Sequence, residues 1–269
     1  MKNYLNCINK TFSHTHGSAL SVKPNFTWLH NELPSEKGEP LVVVDNQISI
    51  TDQLDGYTLY AWLCESKEIC FSAKEYLQNN LDYLCDRYER IFTCDYSLIE
   101  LHEKIEYVPN GSNKPWVREE PKEKTKIVSV VTSGKNQTSG HKMRNQWVES
   151  NKNNIDVYGR LYNPINKKET AMLPYYFSVV FENSNYDKYY TEKITDCFAS
   201  KTIPVYWGTR LVTEDFNADG ILFIEDQQQL KLTPDLYYSK MDAIEENYQR
   251  VKELKCADDI LYEKIKGKL

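Results

Sequence analysis

The stretch Phe177–Gly208, FSVVFENSNYDKYYTEKITDCFASKTIPVYWG, decides the fold. FSVVF is a continuous apolar run between polar neighbours, the pattern of a strand covered on both faces in a parallel sheet. The loop that follows, Glu182–Tyr190, carries two carboxylates, two asparagines, a lysine and three tyrosines. A loop that only closed a turn would not need that density. Thr191 suits the N-cap of a helix and puts Glu192 in its first turn, where unsatisfied amides favour an anion. Ile194, Cys197 and Phe198 share one helical face. Ile203–Trp207 returns as a strand, with Pro204 near its start, where a missing amide costs least. Gly208 closes the unit. This β-α-β unit places its polar groups at the carboxyl end of its first strand, where open α/β sheets bind ligands.

Outward from this unit, TKIVSVVTS (125–133) reads as a strand that feeds the polar loop GKNQTSGHK and the helix-capable MRNQWVESNKN. IDVYG (155–159) is a further strand, followed by a loop over 160–173 with some helix near 167–172. ILFIE (221–225) is another strand. Ser239 is placed to cap a long final helix, with Asp242 in the reciprocal position of a capping box and a break near Ala257. These elements make one α/β domain over about 125–235. SNKPWVREEPKEK (112–124), with two prolines and mixed charge, reads as a linker. Before it, LVVVDNQI (41–48) and YTLYAWLCES (57–66) are strands that carry Asp45 and Glu65 at their ends. A helical stretch over 69–90, a strand over 88–95, a short helix over 97–104 and a strand over 105–111 complete a β, β, α, β, α, β pattern. Residues 1–40 yield no clear element.

The chain has 269 residues, 41% apolar and 27% charged, with a net charge of -6. That balance disfavours non-specific nucleic-acid binding but leaves room for a local basic pocket. No apolar run is long enough to cross a membrane and the N-terminus lacks a signal-peptide core. Contact with a membrane surface is compatible with the sequence, and the oligomeric state is not legible in it. Seven scattered cysteines argue against a disulfide framework or a zinc knuckle, so a reducing, cytoplasmic setting is expected. His14 and His16 form a His-x-His pair with no nearby carboxylate or cysteine to complete a metal set.

Three groups in the second domain suit an anion. The first is Lys135, His141, Lys142 and Arg144 at the entry to a helix, where amides and a guanidinium fork fit a diphosphate. A solvated basic loop is the plain alternative. The second is Tyr189, Glu192 and Lys193. Glu192 and Lys193 point about 100° apart on a helix, so one can face a ribose while the other reaches a phosphate. An ordinary surface ion pair explains them equally. The third is Glu182 with Asn183, a ligand contact or a loop cap. No GxGxxG, P-loop or Asp-x-Asp motif occurs, so neither a dinucleotide fingerprint nor a metal-held diphosphate has sequence support. In the first domain Glu65 is placed to deprotonate an acceptor hydroxyl, though spacing alone favours a surface turn. Asp45 and Asp95 are weaker candidates for the same role.

Phe181-Glu182-Asn183-Ser184, Tyr189-Tyr190-Thr191-Glu192-Lys193-Ile194 and Pro204-Val205-Tyr206-Trp207-Gly208 resemble the donor-binding region of the alpha-1,3/1,4-fucosyltransferase family. VVTSGKNQTSGHKMR resembles that family's strand and arginine loop, with Ser133-Gly134 where Ser-Asn is commoner. The likeness spans about 125–225 and is weaker before it. It implies two facing Rossmann-like α/β domains with a cleft between them, of GT-B type. These are an acceptor-side domain over 1–118 and a nucleotide-sugar domain over 119–269, whose final helix is free to pack back on the first. It implies an inverting glycosyltransferase with GDP-fucose as donor, an acceptor glycan as partner and no permanently bound cofactor or metal. Arg144 and Lys193 would hold the phosphates and Glu192 the ribose, with Asn183 and Tyr189 also serving the nucleotide sugar. Glu65, in WLCES, falls near the family's general base. Another nucleotide sugar on the same fold, or a carbohydrate-binding protein without catalysis, stand as alternatives.

Overall fold

Runs such as PLVVV, TLYAWL and YYFSVVF are apolar on both faces, and each becomes a strand of an all-parallel sheet. The computed structural model describes residues 3–10, 12, 15–19, 22–226 and 231–267. The chain divides into two units, Met1–Asn113 with Asp187–Tyr189 and Lys255–Leu269, and Lys114–Tyr186 with Tyr190–Leu254.

The first unit runs β1 (Tyr4–Ile8), β2 (Thr27–His30), β3 (Pro40–Val44), β4 (Thr58–Leu63), α1 (Phe71–Asn79), α2 (Leu81–Arg87), β5 (Tyr88–Thr93), α3 (Tyr96–Ile99) and β6 (Ile105–Tyr107). Its sheet has the order β2-β1-β3-β4-β5-β6. Leu41, Val43, Leu59 and Ala61 on one face pack on Leu77 and Leu84 of α1 and α2. On the other face Trp28, Tyr60 and Trp62 pack with Ala257, Leu261 and Ile265 of the chain's last helix. That helix is also held by a buried carboxylate. Asp258 accepts from the Ser18 amide at 2.9 Å, the Ser18 hydroxyl at 2.6 Å and the Trp28 indole at 2.8 Å. Burial pushes its pKa up.

The second unit runs β7 (Lys126–Val131), α4 (Ser139–Asn151), β8 (Asp156–Tyr158), α5 (Glu169–Met172), β9 (Tyr175–Phe181), α6 (Glu192–Ala199), β10 (Ile203–Trp207), β11 (Leu222–Phe223), α7 (Pro234–Tyr238) and α8 (Met241–Glu253). The last helix, α9 (Ala257–Lys266), belongs to the first unit. The second sheet has the order β11-β10-β9-β7-β8. Ile194, Cys197 and Phe198 of α6 pack with Val180 and Tyr206 on one face. Val148 of α4 and Ile244 of α8 pack with Val130, Val179 and Val205 on the other. The chain leaves β7 for β8 in one direction and β9 for β10 and β11 in the other. The order therefore reverses between β7 and β9, and the loops after these two strands flank the switch point where doubly wound sheets take ligands.

The structure corrects several expected elements. The third strand stops at Val44 and Asp45–Gln53 is a 3-10 segment. Asp45 takes a left-handed φ of 50°, and its carboxylate accepts from the amides of Cys64 and Glu65, at 2.9 and 3.1 Å. Those bonds turn the chain out of the sheet. Ser239 does not cap the long helix. It closes α7, and α8 starts after Lys240 with no side-chain cap. Only Leu222 and Phe223 of ILFIE pair as a strand. Of residues 112–124, those from Lys114 on belong to the second unit and are held to it rather than forming a free linker. The amides of Trp116 and Val117 donate to Asp196, at 2.5 and 2.9 Å. Lys124 donates to the Leu173 and Ser200 carbonyls and the Thr202 hydroxyl, at 2.9, 2.7 and 2.9 Å. Buried without a carboxylate, its ammonium falls to a pKa of about 7. Residues 1–40 supply β1 and β2, and β2 is a four-residue edge strand. His14 lies outside the described residues.

Candidate functional site

The loop after β7 turns at Gly134, with φ 74°. Glycine and asparagine are the residues that tolerate this left-handed backbone most readily, so the glycine of Ser133-Gly134 suits the turn. The loop enters α4 through a capping box. Thr138 accepts from the His141 amide at 3.2 Å, and the His141 ring accepts from the Thr138 amide at 3.4 Å. One turn on, Arg144 is only 6% exposed. Its Nη2 donates to the Lys135 carbonyl at 3.3 Å, as does the Asn145 amide at 3.0 Å. The buried Arg144 Nε has no hydrogen-bond partner among the described residues. Burial lowers the guanidinium pKa from its usual value.

Gly140 brings this helix start against the loop after β9. Its amide donates to the Asn183 carbonyl at 3.1 Å. A Cβ at Gly140 would lie 1.8 Å from the Glu182 carbonyl oxygen and 2.8 Å from that of Asn183. Alanine ordinarily stabilises a helix relative to glycine by about 1 kcal/mol. Here the overlap with two backbone atoms wins, and Gly140→Ala is expected to destabilise the protein by about 1–3 kcal/mol. A lower midpoint in thermal melting is the check, and a raised one would refute the close approach.

Beyond this contact, Asn183 is half-buried and its side chain hydrogen-bonds His141. Glu182 is fully buried. It accepts from the Thr191 amide at 2.9 Å, the Thr191 hydroxyl at 2.7 Å and the Lys193 ammonium at 3.3 Å. It thereby folds the loop onto the first turn of α6, where Thr191 is the N-cap, as expected. The same carboxylate gives Lys193 a partner within the protein. Glu192 is also buried and meets Lys168 at 3.3 Å. Lys168 in turn meets the buried Asp196 at 2.7 Å. Burial opposes the charge on Lys168, but these two carboxylates outweigh it and hold its pKa up.

His141 reports the sign of the local field. Its pKa drops to about 4 through burial and then through the cations of Arg144, Lys135 and Lys193. The structure thus brings together Arg144, Asn183 and Lys193, with Glu192 adjacent, at the switch point of one sheet. Tyr189 is fully buried and belongs with the first unit.

Glu65 lies in the first unit, just after β4. It is half-buried, and its carboxylate accepts from the Ser66 amide at 2.6 Å. Asp45, just after β3, fixes the Glu65 backbone by accepting from its amide, so the Asp45 carboxylate is engaged in shaping the Glu65 loop. Asp95 caps α3 through the Ser97 amide at 3.0 Å and pairs with Lys74 at 3.1 Å. Both contacts suit an anchoring role. The first unit also has a pocket of about 300 Å³, with Lys23, Asn25, Phe26, Trp28 and His30 in its wall. No described group of three or more histidines, cysteines or carboxylates could hold a metal ion. No described helix is long and apolar enough to cross a membrane.

Residues 121–251 match the family model described as glycosyltransferase family 10 (fucosyltransferase) C-term. This segment belongs to glycosyltransferase family 10. The matched residues contain Arg144, Asn183, Glu192 and Lys193. An alpha-(1,3)-fucosyltransferase of Helicobacter pylori is 43% identical to this chain over 65 residues, which is 24% of this chain but only 13% of that protein. The fold is that of crystal structures of alpha1,3-fucosyltransferase. One covers 93% of this chain and 81% of its own at 15% identity, with a TM-score of 0.52. Another, with GDP-fucose, covers 91% and 77% at 16% identity, with a TM-score of 0.52.

Lys168 and Asp196 were not singled out in the sequence. Asp196 lies four residues after Glu192, on the same helical face, and that spacing was the one available signal. Lys168 comes from an irregular segment and had none.

Proposed function

We propose that the protein is an inverting fucosyltransferase that moves fucose from GDP-fucose to a hydroxyl of an acceptor glycan. The observation that carries the reading is the buried Arg144, whose Nε has no partner among the described residues, with its charge and that of Lys193 both acting on His141 at a topological switch point. A buried cation that has no carboxylate partner among the described residues suits an anionic ligand. Membership of family 10 points to the diphosphate of a nucleotide sugar. Arg144 and Lys193 take the phosphates, Glu192 accepts from the ribose hydroxyls, and Asn183 completes the donor side.

In the reaction Glu65 accepts the proton of an acceptor hydroxyl. The oxygen bonds to the anomeric carbon as the bond from that carbon to the phosphate oxygen breaks. The electron pair leaves with GDP, whose added negative charge Arg144 and Lys193 stabilise. One base and one direct displacement invert the anomeric centre, as in inverting hydrolysis.

The test is turnover with a panel of nucleotide sugars against a panel of glycan acceptors. GDP-fucose is expected to be the productive donor, with the product anomer opposite to the donor's when read by NMR. Turnover with a different donor but none with GDP-fucose would overturn the donor assignment. Absence of turnover together with glycan binding would favour a carbohydrate-binding protein.

A further inference from the structure

Glu192 and Asp196 are both buried carboxylates on one face of α6, four residues apart. Like charges at that spacing repel, and two carboxylates out of water strain to hold both charges. Lys168 sits between them, at 3.3 Å from one and 2.7 Å from the other. Its ammonium also lies 4.3 Å from the centre of the Trp116 ring, an attractive position for a cation. Trp116 is itself tied to the same Asp196 through its amide. A lysine side chain is ordinarily mobile, but this one is held by two anions and an aromatic face.

We infer that Lys168 is a positioning residue for the nucleoside end of the donor site, holding Glu192 ionised and in one orientation to accept from the ribose hydroxyls. The inference rests on the ribose role proposed for Glu192. Lys168 acts on the donor through the carboxylate it holds. Asp196 anchors Lys168 from behind, and its bonds to Trp116 and Val117 fix that anchor to the backbone.

The experiment compares binding of GDP and 2′-deoxy-GDP by calorimetry, alongside steady-state kinetics with GDP-fucose. The intact protein is expected to prefer GDP by about tenfold, the order of one hydrogen bond to a charged group. Lys168→Met is expected to abolish that preference and to raise the donor KM by about tenfold while kcat changes little. Lys168→Arg keeps the charge and is expected to retain the preference. Lys168→Met added to Glu192→Gln is expected to weaken GDP binding no further than Glu192→Gln alone, because the lysine acts through the glutamate. If Lys168→Met does not fold, Lys168→Gln takes its place. Retained ribose preference without the Lys168 charge, with that preference lost in Glu192→Gln, overturns the inference and leaves the ribose assignment standing. Retained preference in Glu192→Gln overturns both. A merely structural lysine would lower the melting temperature without changing the ratio of the two affinities, and that result also overturns the inference.

Discussion

Arg144→Ala is expected to lower kcat by about 10²–10³-fold, the usual loss when one fixed donor to developing negative charge is removed. The guanidinium is 6% exposed and its Nε lacks a partner among the described residues. Leaving a buried donor unbonded costs about 1–3 kcal/mol. An arriving phosphate oxygen relieves that cost, and relieves more of it as charge builds on the leaving group. Arg144→Lys is expected to restore little, because an ammonium cannot reproduce the planar fork. A second readout does not depend on turnover. After burial, the Arg144 charge does most to lower the His141 pKa, so Arg144→Ala should raise that pKa above about 4 in an NMR titration. The sign also reaches stability. A histidine in the unfolded chain protonates at about pH 6.5. Since the folded value is about 4, the unfolded state binds the proton first as pH falls. This contribution to stability is present above about pH 6.5 and is lost as pH falls toward 4. A kcat within about threefold of the intact protein would remove Arg144 from the phosphate site.

Glu65→Gln is expected to lower kcat by about 10²–10⁴-fold, the range for losing a general base. Donor affinity is expected to persist, since Glu65 is not one of the groups gathered around Arg144, Asn183 and Lys193. Glutamine keeps an oxygen that can accept from the Ser66 amide, and the Asp45 bonds to the Cys64 and Glu65 amides do not involve the substituted carboxylate. The loop should therefore keep its shape. The measurements are single-turnover rates with GDP-fucose and calorimetric binding of GDP. An unchanged rate would move the base to another residue, and a lost rate with equally lost GDP binding would mark Glu65 as structural.

Most of the sheet was legible because parallel strands announce themselves as unbroken apolar runs. FSVVF, TKIVSVV and YTLYAWL all became strands. The start of α6 was equally legible, since Thr191 is a capping residue followed by an acid. What escaped was decided by partners far away in sequence. Asp45 leaves the strand pattern because amides twenty residues later need its carboxylate. Ser239 looks like a cap, but α7 ends at it and Lys240 intervenes. β2 is short and lies at an edge, so only part of it needs to be apolar. In the site, the types and spacing of Thr191, Glu192 and Lys193 could be read directly. Their present partners, Glu182 and Lys168, could not, because an ion pair across a loop leaves no local pattern.

The first unit draws α9 from the far end of the chain, with Asp258 binding Ser18 and Trp28 and Ala257, Leu261 and Ile265 filling its core. Domains emerging from a ribosome usually mature from the N-terminus onward. Here the first unit needs a segment that follows the second unit in sequence. Residues 114–254 can bury their core while the nascent first unit still lacks its last helix, and Trp28 and Trp62 must wait for it with one face uncovered. The core of the first unit is therefore completed only once residues 257–265 are in place.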